Sequence, residues 1–181
     1  GGIHGRAGAG AASGGGALLD YLGYGATLGT WYMNGPPPSE VTCTVDEVPE
    51  IEVDQHAIAV LRYNSGLSRM ETRWGTFTDP WTHQPQPTCG FTFVGNEGTI
   101  SSPDYATHLS VQTRARPEPH QVAVDPLTPG ERNGIEYVLG CLARGEPVGG
   151  PLDPALCLTA QRIVDTAAQS ALEKCTLALL P

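Results

Sequence analysis

Asp20 and Tyr24 stand four residues apart in the stretch Ser-Gly-Gly-Gly-Ala-Leu-Leu-Asp-Tyr-Leu-Gly-Tyr-Gly-Ala-Thr-Leu-Gly-Thr, which runs from Ser13 to Thr30. At helical spacing a pair at i and i+4 shares one face, so a carboxylate and a phenol are presented together. Such a pair is suited to move a proton to or from a substrate oxygen while the acid orients its partner. Tyr24 is the candidate for the proton. Asp20, one turn earlier, is suited to accept a hydrogen bond from a substrate hydroxyl or to orient the phenol. A tyrosine phenol ordinarily ionises near pH 10, so acting as a base near neutrality calls for a neighbouring cation. The competing structural reading packs the Tyr24 ring on a sheet and bonds its hydroxyl to Asp20 merely to satisfy it.

The element that must hold this pair is a helix spanning Gly15 to Asn34, with Leu18, Leu22 and Trp31 at helical spacing. Asn34-Gly35 followed by Pro36-Pro37-Pro38 supplies its stop. Gly23, Gly25 and Gly29 each cost such a helix about 1 kcal/mol relative to alanine. Compensation comes either from close backbone approach by another element or from approach by the ring of a bound cofactor or substrate; on the second alternative Gly23 and Tyr24 line the cofactor. Residues 1–13 are rich in Gly and Ala without periodicity and read as a linker or truncated loop ahead of a domain spanning residues 14–181. Gly8-x-Gly10-x-x-Ser13 within it imitates a dinucleotide fingerprint, but no strand precedes it and no acidic ribose-binding residue follows a second strand, so it is rejected.

Beyond the helix the apolar period changes from 3.6 to 2. Val41 to Val45, Ile58 to Tyr63, Met70 to Trp74, Phe91 to Val94, Thr99 to Ser101, Ala106 to Thr113 and Gln121 to Val124 make a run of about seven strands. Asn64-Ser65-Gly66 and Gly95-Asn96-Glu97-Gly98 are short turns, and strands joined by short turns pair antiparallel. Two helices close the chain. Thr128-Pro129-Gly130-Glu131 reads as a capping box leading to Ile135, Val138, Leu139 and Leu142 before Gly145, and Asp153-Pro154 caps a last helix with a stripe from Leu156 to Ala171. The expected fold is α+β: an open-faced, mainly antiparallel sheet with helices packed on one face and the other available for oligomerisation.

Bulk composition narrows the partners. A formal net charge of -9 over 181 residues, with ten Lys and Arg, repels polyanions and argues against nucleic acid. No apolar run approaches the ~20 residues of a membrane span, and no basic region precedes an apolar one at the N-terminus. Cys43, Cys89, Cys141, Cys157 and Cys175 are odd in number and lack C-x-x-C spacing, which points to reduced, mostly buried thiols in a cytoplasmic protein. His56, His108 and His120 have no partners at metal-ligand spacing, so no metal is assigned.

The Gly14-Gly15-Gly16-x-Leu18-x-Asp20-x-x-x-Tyr24 segment resembles the one that opens the C-terminal domain of the glucose-fructose oxidoreductase, inositol dehydrogenase and rhizopine-catabolism (Gfo/Idh/MocA) family. Phe93-Val94-Gly95-Asn96-Glu97-Gly98-Thr99-Ile100 is similar to that family's sheet turn. Asn133 to Tyr137, Arg144-Gly145-Glu146-Pro147 and Gly150 to Pro154 are similar to its closing helices. The resemblance covers roughly Gly14 to Leu180. It implies an NAD- or NADP-dependent oxidoreductase acting on a sugar or sugar derivative, with the dinucleotide held mainly by an N-terminal Rossmann domain absent from this chain. Most family members place histidine where Tyr24 stands, and the glucose-fructose oxidoreductase branch places tyrosine. The family's lysine-bearing Glu-Lys-Pro motif is missing, and Glu173-Lys174-Cys175, at the end of the last helix, is no substitute.

Weaker signals complete the site. His4 resembles a histidine found just upstream of the glycine triplet in some relatives and is a candidate for the cleft lining. The segment from Gly75 to Gly90 carries Phe77, Trp81, His83 and three prolines, a composition suited to a rigid wall against a sugar ring. Trp81 and His83 are therefore substrate-binding candidates. Three organisations fit a chain that begins after the cofactor domain: a fragment of a longer enzyme, one subunit of a split enzyme paired with a separate Rossmann chain, or a non-catalytic binding or assembly domain. A homo-oligomer formed through the open sheet face is expected.

Overall fold

The computed structural model describes residues 15–34, 36–46, 48, 51–74, 83 and 88–181. They divide into two compact units, one formed by Gly1–Gly75 with Asn133–Pro181 and the other by Thr76–Arg132.

The first unit opens with helix α1, Ala17–Met33, which stops where Asn34 turns left-handed at φ 45°. Strands β1 (Glu40–Asp46), β2 (His56–Tyr63) and β3 (Gly66–Arg73) follow, all antiparallel. Asn64-Ser65 forms the tight hairpin between β2 and β3, with Tyr63 opposite Gly66. Helices α2 (Gly134–Arg144) and α3 (Pro154–Glu173) come later in the chain, with a single 3₁₀ turn at Gly150–Leu152 between them. A two-residue strand, Leu177–Ala178, then pairs with the far edge of β1.

Alternation on the strands sets the core. Val41, Cys43, Ala57, Ala59, Leu61, Tyr63 and Met70 point to one face, where Leu18, Leu22 and Ala26 of α1 meet Ile163, Val164 and Ala167 of α3. Burying side chains such as Leu22, Leu61 and Ile163 contributes about 1.5–3 kcal/mol each. The opposite face mixes charged pairs, Arg62 with Glu40 at 2.7 Å and His56 with Glu71 at 2.9 Å, with the exposed Val60 and Leu67.

In the second unit β4 (Gly90–Val94), β5 (Gly98–Pro103), β6 (His108–Thr113) and β7 (His120–Ala123) make a four-stranded antiparallel meander. The Gly95 N–H donates to the Gly98 carbonyl at 2.8 Å across the expected turn. Its register gathers Phe91, Phe93, Ile100, Leu109, Val111 and Val122 on one side, and no helix lies among the described residues of this unit.

Three expectations change. The strands form two sheets of four, not one of about seven, because the pairing rule for consecutive strands needs a short turn and the proline-bearing stretch from Trp74 to Cys89 is not one. Helix α2 starts at Gly134 instead of following Thr128 directly. Thr128 and Glu131 do meet, at 2.7 Å, but Gly130 at φ 90° turns the chain left-handed; Asn133 then provides the cap, accepting from the Glu136 N–H at 2.9 Å. Finally, only Cys43 and Cys141 are buried, whereas Cys89, Cys157 and Cys175 lie at the surface.

Candidate functional site

Helix α1 turns its core face inward and leaves Asp20 and Tyr24 outside. Tyr24 is 69% exposed and Asp20 is exposed beside it. Among the described residues neither the Tyr24 hydroxyl nor the Asp20 carboxylate has a hydrogen-bond partner, so the two are not tied to each other. The one described ring contact of Tyr24 is with Tyr21, three residues earlier, at 6.4 Å between centroids and an interplanar angle of 36°. Trp31 is 42% exposed. It falls seven residues after Tyr24, two turns along the same outward side, where its ring meets Tyr32 at 4.9 Å.

The glycines separate by environment. A Cβ on Gly25 would lie 3.3 Å from Met70 Cγ and Sδ, and one on Gly29 would lie 3.0 Å from Met70 Cε. Close approach by β3 thus accounts for both. Around Gly23, apart from its chain neighbours and the nearby backbone of its own helix, no described atom lies within 4 Å of where a Cβ would sit, and the residue is half-buried. No packing partner explains it.

Four anchors hold α1, and none was singled out from sequence. The Asp54 carbonyl accepts from the Ala17 N–H at 3.0 Å, and its Oδ2 accepts from the Leu18 N–H at 2.7 Å. The Thr30 and Tyr63 hydroxyls share a buried hydrogen bond of 2.7 Å. Burial pushes the Tyr63 phenol above its ordinary value, partly offset by that bond. Met70 fills the space beside Gly25 and Gly29. The Tyr21 contact was within reach of the i, i+3 rule; Asp54 and Tyr63 lie 36 and 33 residues from their partners, with no local signal.

Of the remaining candidates, His4 and Trp81 lie outside the described residues. His83 is exposed. The described residues contain no group of three or more His, Cys, Asp or Glu arranged to hold a metal ion. No described helix is long and apolar enough to cross a membrane.

The family model for the GFO/IDH/MocA C-terminal domain matches residues 5–101, more than half of the 181. The chain belongs to that family. Among solved structures it is similar to levoglucosan dehydrogenase in complex with NADH, at 18% identity and a TM-score of 0.72 over 93% of this chain and 51% of that one. Aldose-aldose oxidoreductase from Caulobacter crescentus, complexed with glycerol, matches at 18% identity and a TM-score of 0.69, over 91% of this chain and 48% of that one. An oxidoreductase from Agrobacterium radiobacter, in complex with NAD+, L-tartaric acid and magnesium, matches at 20% identity and a TM-score of 0.63, over 90% and 48%. At these identities the likeness is one of fold, and the chain spans about half the length of those proteins. No curated protein matches it.

Proposed function

We propose that the chain is the substrate-binding and oligomerisation domain of an NAD(P)-dependent oxidoreductase that interconverts an alcohol and a ketone or aldehyde on a sugar or sugar derivative. The observation that carries this reading is the Asp20–Tyr24 face: two polar side chains one turn apart, both exposed and neither hydrogen-bonded by another described residue. Tyr24 Oη hands a proton to the substrate oxygen in reduction and takes it back in oxidation. Asp20 accepts a hydrogen bond from a neighbouring hydroxyl and fixes the substrate's rotation. The nicotinamide, when bound, supplies the hydride chemistry. Open space at Gly23 fits a flat ring approaching the helix backbone.

This chain's residues fit only that reactive end. The described strands are antiparallel and none leads through a glycine-rich turn into a helix, which is the arrangement that cradles a pyrophosphate. The rest of the NAD or NADP is assigned to a Rossmann domain outside this chain. A sugar-like substrate is supported by the relatives that bind levoglucosan or act on aldoses. His4, Trp81 and His83 are kept as its outer wall. Self-association is assigned to the apolar side of the β4–β7 sheet, since on the open face of the first sheet the exposed Val60 and Leu67 are interrupted by charged pairs.

The test joins this chain to a family nucleotide-binding domain and follows NAD(P)H oxidation against a panel of ketosugars. Turnover that is lost in Tyr24→Phe supports the reading. A folded, nucleotide-bound protein with no turnover on any of them overturns it.

A further inference from the structure

We infer that Asp54 is a positioning residue for the Asp20–Tyr24 face, acting as the N-terminal cap of α1 from the segment just ahead of β2. The inference rests on the functional reading above for its consequence, but its geometry stands alone. A helix leaves its first N–H groups without intrahelical partners, and a side chain at the cap position usually serves them. Here the cap position is Gly16, which has no side chain to offer. Ala17 and Leu18 are 0% and 3% exposed, so water cannot take the place of a cap. Asp54 serves both: its carbonyl accepts from Ala17 and its carboxylate from Leu18. The carboxylate also sits where the positive end of the helix dipole favours negative charge.

This arrangement explains the third glycine of the triplet. Gly16 has φ 114°, and a Cβ there would collide with Asp54 Oδ1. The glycine is the room that the distant cap requires, not a contact for sugar or nicotinamide. Asp20 is the fourth helical residue, its N–H donating to the Gly16 carbonyl at 3.0 Å, so it lies in the turn that Asp54 fixes. Tyr24 lies one turn further. Loss of the cap therefore loosens the carboxylate first and the phenol less.

Amide exchange and kinetics on the same joined protein test this with three forms: wild type, Asp54→Ala and Asp54→Asn. Asn keeps a side-chain oxygen acceptor for the Leu18 N–H and Ala does not, while the main-chain carbonyl that serves Ala17 is present in all three. Exchange at residues 17–20 is expected to rise about tenfold or more in Asp54→Ala, with α3 unchanged, and to return towards wild type in Asp54→Asn. In turnover, Asp54→Ala is expected to raise KM more than it lowers kcat, since Asp20 binds and Tyr24 transfers the proton; Asn restores both. Exchange that is unchanged at residues 17–20, or that rises equally in α3, overturns the inference. So does a KM that Asp54→Ala leaves untouched while wild type turns over. If wild type does not turn over, the functional reading fails and the exchange pattern alone decides the role of Asp54.

Discussion

Tyr24 and Asp20 were legible as a pair because i and i+4 on a helix is a local rule, and the exposure of both follows from the position of Leu18 and Leu22 on the opposite side. Gly23 gives a prediction at the same scale. Replacing it with alanine removes a helix penalty of about 1 kcal/mol without a steric cost, so Gly23→Ala should melt higher than wild type. If a ring docks there, the same change should depress turnover in the joined enzyme. A variant that is both more stable and fully active would remove Gly23 from the cofactor contact. Cys43 is a second test. Burial, and then the neighbouring Asp54 carboxylate, push its thiol from 9.0 up to about 11, against a backbone hydrogen bond to Thr44 that lowers it. The unfolded chain releases this proton near pH 9 and the folded one near 11, so the contribution is whole below pH 9 and lost as pH climbs through 11. Urea midpoints measured from pH 8 to 11 should fall more steeply for wild type than for Cys43→Ala.

Helix α1 shows which parts of an element sequence can supply. Its length, its stop at Asn34 and half of its core face came from periodicity, whereas its start depends on Asp54 and its far end on Tyr63, both brought in by tertiary folding. Trp31 keeps the helical spacing yet is 42% exposed, since apolar character at that spacing does not reveal which of two faces is the core. Helix α2 shows a related limit: Ile135, Leu139 and Leu142 have core-like spacing yet are exposed. The Thr30–Tyr63 bond is the element-scale prediction. Thr30→Val is close in shape but strands a buried phenol, so it should cost about 1–3 kcal/mol in chemical denaturation. A loss within the error of zero would mean that water replaces the lost partner.

For the whole molecule, pattern reading found seven of the eight described strands, the turns joining β2 to β3 and β4 to β5, and the order of the described helices. It missed the division into two sheets, because pairing partners are inferred from short connections and the stretch from Trp74 to Cys89 offers none. The two sheets also differ in the apolar surface they carry. Charged pairs interrupt the exposed Val60 and Leu67 on the outer face of the first sheet, while Phe91, Phe93, Ile100, Leu109, Val111 and Val122 line one side of the second. A contiguous apolar side is a surface that association would bury. Ile100 is 41% and Val122 is 42% exposed, so Ile100→Lys with Val122→Lys should fold and yet lower the mass seen by sedimentation. An unchanged assembly would assign self-association to another surface.

The central claim is that Tyr24, by its hydroxyl and not by its ring, moves the substrate proton. Tyr21 is the internal control, since it is a tyrosine on the same helix in ring contact with Tyr24. With the chain joined to a nucleotide-binding domain and a turned-over ketosugar in hand, kcat for Tyr24→Phe and Tyr21→Phe is the deciding measurement. A fall of about a hundredfold or more for Tyr24→Phe, with Tyr21→Phe within a few-fold of wild type, is the expected result. Equal rates for the two variants would contradict it.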